Sequence, residues 1–221
     1  MHTFDRNATV FVVDGDMGTS ESVAAMVRLM GLKAEVFETA EDFLAGHHHH
    51  QPGCVIADLR LCGMSGTSLL AAMRADRSQM PFILMTAFAD VEVAVKVMVR
   101  GAMTVIEKPY RDQHLWDQIV RALQQDRDQR ALSSRRKMLM ASIQDLSDEE
   151  REILTMMVSD NPNKVISSRL QISLRTVDHR RAEILAKLGI RNLKSLIWHL
   201  GGIGWPAEKL KGSEPALTAM Q

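Results

Sequence analysis

Gly53-Cys54-Val55-Ile56-Ala57-Asp58 is the stretch on which the fold is decided. Val55 and Ile56 are β-branched and apolar, with a glycine before them and a polar turn after, the pattern of a buried strand in a parallel sheet. The strand ends in an acid, Asp58, and open α/β sheets place their chemistry outside the carboxyl ends of the strands. A carboxylate there costs free energy unless a cation or a donor uses it. Taken alone, Asp58 reads equally well as a turn cap.

Apolar runs recur on both sides of this strand, at residues 9–13, 34–37, 81–85 and 103–106. Helical patterns lie between them at 20–30, 40–44, 68–74 and 91–99, and another begins at about 112. In the fourth, Val91, Val95, Met98 and Val99 keep one face apolar. Strands alternating with helices in units of this size imply βαβ crossovers and an α/β fold, a doubly wound five-stranded parallel sheet. The polar residues at the strand ends then matter together. The first strand ends in Asp14-Gly15-Asp16, the third in Asp58, the fourth in Thr86-Ala87 and the fifth in Glu107-Lys108-Pro109. Their placement at four strand ends converges acids, a hydroxyl and a lysine on one edge of the sheet.

In that order, Asp14, Asp58-Leu59-Arg60, Thr86-Ala87 and Lys108-Pro109 resemble the flavodoxin-like receiver domain of two-component response regulators, over about residues 8–123. The resemblance implies that Asp58 accepts a phosphoryl group from a sensor histidine kinase. It implies Mg²⁺ on Asp14, Asp16, Asp58 and the backbone carbonyl of Arg60. It assigns Lys108 and Thr86 to phosphoryl oxygens, with Thr86, Val105 and Pro109 as switch positions. Pro109 is expected to follow a cis peptide that aims Lys108 into the site. The chain departs from the family at three points. Gly15 stands where a second acid is usual, Leu61-Cys62 replaces methionine-proline, and Val105 occupies the aromatic switch position. These departures keep open a receiver triggered without phosphorylation.

The chain has 221 residues, with 27 lysines and arginines against 27 aspartates and glutamates. The halves differ. Residues 1–123 hold 11 basic and 15 acidic side chains, whereas 125–221 hold 16 basic and 12 acidic. Residues 163–194 carry eight basic against two acidic side chains, which suggests a polyanionic partner. The two cysteines, Cys54 and Cys62, show no framework spacing. No signal peptide and no bilayer-length apolar run is present, so a cytoplasmic setting without membrane contact is expected. His47-His48-His49-His50 lacks a partner ligand at helical spacing and reads as a solvated loop.

The helix beginning near 112 continues without Gly or Pro to 146, so 124–145 reads as a helical linker, a semi-rigid spacer. Ser147 and Glu150 form a capping-box pattern, with Leu146 positioned to staple against Ile153 or Leu154. Helices follow at 164–170, 174–188 (after the Ser173 cap, ended by Gly189) and 193–200 (after the Asn192 cap). Two helices joined by a three-residue turn, the second of them basic, are a helix-turn-helix. On the second, Val177, Ile184, Leu185 and Leu188 lie inward, while Arg175, Asp178, His179, Arg181 and Ala182 point out.

Residues 146–200 resemble the LuxR-type DNA-binding domain, a small all-α unit. Asp178, His179 and Ala182 fall at its base-reading positions. Asn163, Lys164, Arg175, Thr176, Arg181 and Lys187 suit phosphates. Arg180 replaces a histidine usual in the family. The tail 201–221 is expected to dock at Trp205 and then to lose order.

Together these readings describe a transcriptional response regulator of the FixJ/NarL-like subfamily and not an enzyme. Its expected partners are double-stranded DNA, a sensor histidine kinase, RNA polymerase and, when active, a second copy of itself. A rival reading comes from Asp14-Gly15-Asp16-Met17-Gly18-Thr19, which superficially resembles the nucleophile motif of haloacid-dehalogenase-type phosphatases. No later paired-acid motif accompanies it, and it leaves the helix-turn-helix unexplained.

Overall fold

A computed structural model describes residues 7–46, 48–87 and 91–201, the side chains of 198–201 excepted. The expected order at Trp205 and beyond lies outside the described residues. The chain divides into two compact units, residues 1–131 and 132–221.

In the first unit, β1 (Thr9–Val13), β2 (Lys33–Phe37), β3 (Gly53–Asp58), β4 (Phe82–Thr86) and β5 (Thr104–Glu107) form one parallel sheet in the order β2-β1-β3-β4-β5. Every residue of β1 and β4 is buried, and in β3 only Asp58 is not fully so. The strands are accordingly near-continuous in Val, Ile, Phe and Leu, as two covered faces require.

Strand alternation sorts the core into two layers. Val10, Val12, Ile56, Ile83 and Met85 face α1 (Met17–Leu29) and the start of α5 (Asp112–Gln144), which supplies Leu115, Ile119, Ala122 and Leu123. Phe11, Val13, Val55, Phe82 and Leu84 face α2 (Ala40–Ala45), α3 (Gly66–Ala75) and α4 (Val91–Val99). The apolar face of α4 read from the sequence is its outward one. Val97 is buried and Val93 partly so, whereas Val91, Val95, Met98 and Val99 are exposed. This helix is apolar nearly all round, so periodicity alone does not choose its buried face.

The first unit extends beyond 123 because α5 goes on holding the sheet. Asp126, 4% exposed, accepts the Gly53 amide at 3.0 Å through Oδ2 and the Arg130 Nε–H at 2.7 Å. Arg130 also donates to the main-chain carbonyls of His50, at 3.0 Å, and Gln51. The histidine run is equally settled. His48–His50 form a short 3-10 helix, and His49 is buried, contrary to the solvated loop expected; His47 lies outside the described residues.

The second unit contains the end of α5, then α6 (Asp148–Val158), α7 (Asn163–Leu170), α8 (Leu174–Lys187) and α9 (Leu193–Gly201). Leu139 and Ile143 of α5 pack with Leu146, Ile153, Leu154, Ile166, Val177, Ile184 and Leu196 in one core, so residues 124–145 are drawn into packing at both ends. The local signals act as read. Ser147 and Glu150 close a capping box, Ser173 Oγ accepts the Thr176 amide at 3.1 Å, and Asn192 Oδ1 accepts the Ser195 amide at 2.8 Å.

Candidate functional site

The strand order 2-1-3-4-5 reverses direction between β1 and β3, the switch point beyond whose carboxyl ends open α/β sheets form their ligand crevice. Asp14 directly follows β1 and Asp58 ends β3, so the two acids flank this switch point. Lys108, just after β5, reaches across. Its Nζ donates to Asp14 Oδ2 at 2.7 Å and to Asp58 Oδ1 at 2.6 Å. The remaining carboxylate oxygens take main-chain donors: Asp58 Oδ2 accepts Arg60 N at 2.7 Å and Asp14 Oδ1 accepts Asp16 N at 3.0 Å. Lys108 N donates to Thr86 O at 2.7 Å, tying the ends of β4 and β5 together. The Lys108–Pro109 peptide is cis, as the resemblance implied. Burial by itself lowers the pKa of the Lys108 ammonium. The hydrogen bonds to Asp14 and Asp58 outweigh that, and the net displacement is upward.

Gly66 opens α3 directly over this site. A Cβ on it would lie 2.3 Å from the Asp58 carbonyl oxygen, so only glycine permits the approach. Thr86 is buried at the end of β4, and Val105, opposite Leu84 in β5, is partly buried against the α2–α4 layer. Asp16 does not join the cluster. Its Oδ2 accepts Thr19 Oγ1 at 2.7 Å and its Oδ1 accepts Gly18 N at 3.0 Å, capping α1. Those two bonds, the Thr19 hydroxyl first, hold its carboxyl below the usual range.

Mg²⁺ asks a protein for one or two carboxylates and keeps several waters. Asp14 and Asp58 meet that demand, since one cationic nitrogen already bridges an oxygen of each.

In the second unit the exposed side of α8 carries Arg175, Asp178, His179 and Ala182. Thr176 and Arg181 are half-buried beside them, and Lys164 is exposed on α7. Val177, Ile184 and Leu188 are buried as expected. Several polar residues are already engaged. Arg181 donates to Asn163 Oδ1, and Asn163 Nδ2 donates to Asp178, so the start of α7 is fastened to the outward face of α8. His179 faces Glu183 at 3.3 Å. Arg180 pairs with Glu149 of α6 at 3.6 Å, so its guanidinium points back toward the scaffold. Lys187 Nζ lies 2.5 Å from Glu150 Oε1.

That last bond predicts a pH dependence. The Glu150 carboxyl is held below its ordinary 4.5 by Lys187 first and then by the Ser147 amide. Its contribution is complete above about pH 4.5 and is lost as pH falls through the lowered value. Glu150→Gln should therefore flatten the acid limb of thermal unfolding, followed by circular dichroism from pH 7 downward. An unchanged limb would exclude the pair as its source.

Sequence reasoning missed Asp126 and Arg130, whose partners are main-chain atoms, and Glu41, whose Oε1 accepts Met64 N at 2.9 Å and steadies the loop after Asp58. No composition signal marks such partners.

Comparison with known proteins agrees with both halves. Residues 10–120 match the response regulator receiver domain, and residues 144–200 match the bacterial regulatory proteins of the luxR family. The chain is 34% identical over 189 residues to the transcriptional regulatory protein FixJ of Rhizobium meliloti, covering 86% of this chain and 93% of that one. It is 34% identical over 190 residues to the C4-dicarboxylate transport transcriptional regulatory protein DctR of Rhodobacter capsulatus, covering 85% and 96%. Among solved structures, the response regulator StyR superposes with a TM-score of 0.73 at 32% identity, over 89% of this chain and 99% of that one. With a receiver fold, its acids and lysine gathered at the switch point, and a LuxR-type helix-turn-helix behind it, the chain belongs to the FixJ-like transcriptional response regulators of two-component systems.

Proposed function

We propose that Asp58 is the phosphoryl acceptor for a sensor histidine kinase in the cytoplasm, and that its phosphorylation governs dimerisation and binding of α8 to double-stranded DNA. The observation that carries this reading is the Lys108 ammonium shared between Asp14 and Asp58 at the switch point. In the transfer, an Asp58 carboxylate oxygen attacks phosphorus, the P–N bond to the kinase imidazole breaks, and the imidazole leaves with a proton. Lys108 neutralises a phosphoryl oxygen, and the Thr86 hydroxyl takes another. Two carboxylates against one ammonium leave the pocket negative before an anionic group arrives. Mg²⁺, held by Asp14, Asp58 and the Arg60 carbonyl, supplies the missing positive charge when bound. Asp16 remains a helix cap.

The exposed Val91, Val95, Met98 and Val99 row on α4 supports a second copy as partner in the active state. Only paired domains read two half-sites. On α8, Asp178, His179 and Ala182 are placed to read bases. Lys164, Arg175 and Thr176 are placed for phosphates, with Asn163 and Arg181 fixing their register. Transcription follows through contact with RNA polymerase.

The test is acetyl phosphate with Mg²⁺ and intact-mass detection. Wild type should gain one phosphoryl group and Asp58→Asn none, and only wild type should then tighten on DNA. The absence of a usual acid at Gly15 favours a second reading, a receiver that controls DNA binding without phosphorylation. An unmodified wild-type protein with normal DNA binding would select it.

Gly15 itself offers a graded check. A Cβ there would meet only the Glu38 carbonyl oxygen, at 3.9 Å, so a side chain can start from this position without a clash. Gly15→Asp should tighten Mg²⁺ by roughly ten-fold or more through the added ligand charge, measured by titration calorimetry. Unaltered affinity would place the ion elsewhere.

A further inference from the structure

We propose that His49, His50 and Asp76 form a second metal site, selective for a divalent late first-row transition ion such as Zn²⁺, at the end of the sheet opposite Asp58. His49 Nε2 lies 2.6 Å and His50 Nε2 3.0 Å from Asp76 Oδ2, and the three donor atoms fall within 4.8 Å of one another. Two imidazole nitrogens and a carboxylate oxygen are ligands that suit zinc and its neighbours and not Mg²⁺. A tetrahedral ion with bonds near 2.05 Å separates its donors by roughly 3.3 Å. Reaching that spacing opens the two contacts to Asp76 by roughly 0.7 and 0.3 Å and draws the two imidazole nitrogens together by roughly 1.5 Å at most. His50 and Asp76 are both about half exposed, which leaves them free to make that shift and leaves a coordination position for water.

The site is built, not incidental. His49 is 3% exposed; its ring lies against Phe43, with centroids 6.2 Å apart, and against His50 at 4.3 Å. Its main-chain carbonyl accepts the hydroxyl of buried Ser78 at 2.6 Å. Asp76 is fixed as the C-cap of α3, its N–H donating to Ala72 O. Arg77, at φ 58°, turns the chain so that Asp76 and Ser78 both meet His49. The histidines are also sorted by direction. The His48 ring stands among Phe11, Phe37 and Phe43 and meets Glu35 at 3.7 Å, so the three described imidazoles of the run are not equivalent. The His50 carbonyl is gripped by Arg130 of α5, so an ion here would stiffen the segment that α5 holds.

The experiment uses the full chain. Zn²⁺ is titrated calorimetrically, Co²⁺ is followed by its visible ligand-field bands, and melting is recorded with and without Zn²⁺. One ion per chain, tetrahedral Co²⁺ bands and a raised melting temperature are expected. Asp76→Asn and His50→Ala should each lose at least the roughly 10–100-fold that removing an outer-shell partner costs. His48→Phe, which keeps the aromatic packing, should bind as wild type does. Circular dichroism of each ion-free variant separates lost ligands from lost fold. Absence of saturable Zn²⁺ binding, equal affinity in wild type and Asp76→Asn, or a loss in His48→Phe as large as in His50→Ala would overturn the site.

Discussion

Replacing Lys108 with methionine is expected to slow phosphoryl transfer to Asp58 by roughly 10²–10³-fold, the usual loss when a preorganised electrostatic donor is removed from a reacting centre. Methionine keeps most of the length and removes the charge. Asp14 and Asp58 then face each other with no ammonium between them, and an incoming anion meets an uncompensated negative pocket. The same change leaves Asp14, 4% exposed, without its charge partner. Because Lys108 is itself 22% exposed, the stability cost is the smaller, screened figure of about 1–3 kcal/mol. The rate of mass gain from acetyl phosphate measures the first effect and urea unfolding the second. The sign of the pH dependence follows from the raised lysine. Its ion pairs stabilise the fold fully below about pH 10.5 and lose their effect as pH climbs through the higher folded value. Wild type should therefore show an alkaline loss of stability that Lys108→Met lacks. A methionine variant phosphorylated at the wild-type rate would remove Lys108 from the chemistry.

Gly53→Ala is expected to destabilise the first unit by about 4 kcal/mol or more, the range reserved for a named structural conflict. Gly53 has φ 154°, and a Cβ on it would stand 1.9 Å from the Thr9 carbonyl oxygen. Thr9 is its register partner in β1, so the obstruction is main chain and has no rotamer to adopt. Moving β3 aside would also strain the Gly53 amide bond to Asp126. Gly15→Ala is the control, since its added carbon meets nothing closer than 3.9 Å and should leave the midpoint nearly unchanged. Equal midpoints for the two variants would refute the packing at the head of β3.

The sheet was legible because β-branched runs between turn signals have only one economical arrangement, and its strand ends align Asp14, Asp58 and Lys108 without further information. The caps at Ser147, Ser173 and Asn192 were legible because capping is local. What escaped was either ambiguous or distant in sequence. Asp16 was read only as an ion ligand; in the fold the hydroxyl of Thr19, three residues on, engages its carboxylate at the start of α1. The histidine run looked solvated because its partner, Asp76, stands 26 residues beyond His50 with no spacing rule to connect them. Asp126 and Arg130 passed as part of a helical linker because their partners are an amide and two carbonyls, which carry no sequence signal. Arg180, at a position where the family more often has histidine, finds its partner on α6 at Glu149.

The grip of Asp126 and Arg130 on the head of β3 bears on how this protein can be cut. A recombinant fragment ending at 123 would retain every strand and every pocket residue. It would nevertheless leave the Gly53 amide, buried in the sheet, without its acceptor and deprive the carbonyls of His50 and Gln51 of the Arg130 donor. A stop codon placed after Ala131 preserves all of these bonds, and that is where an isolated amino-terminal piece should end.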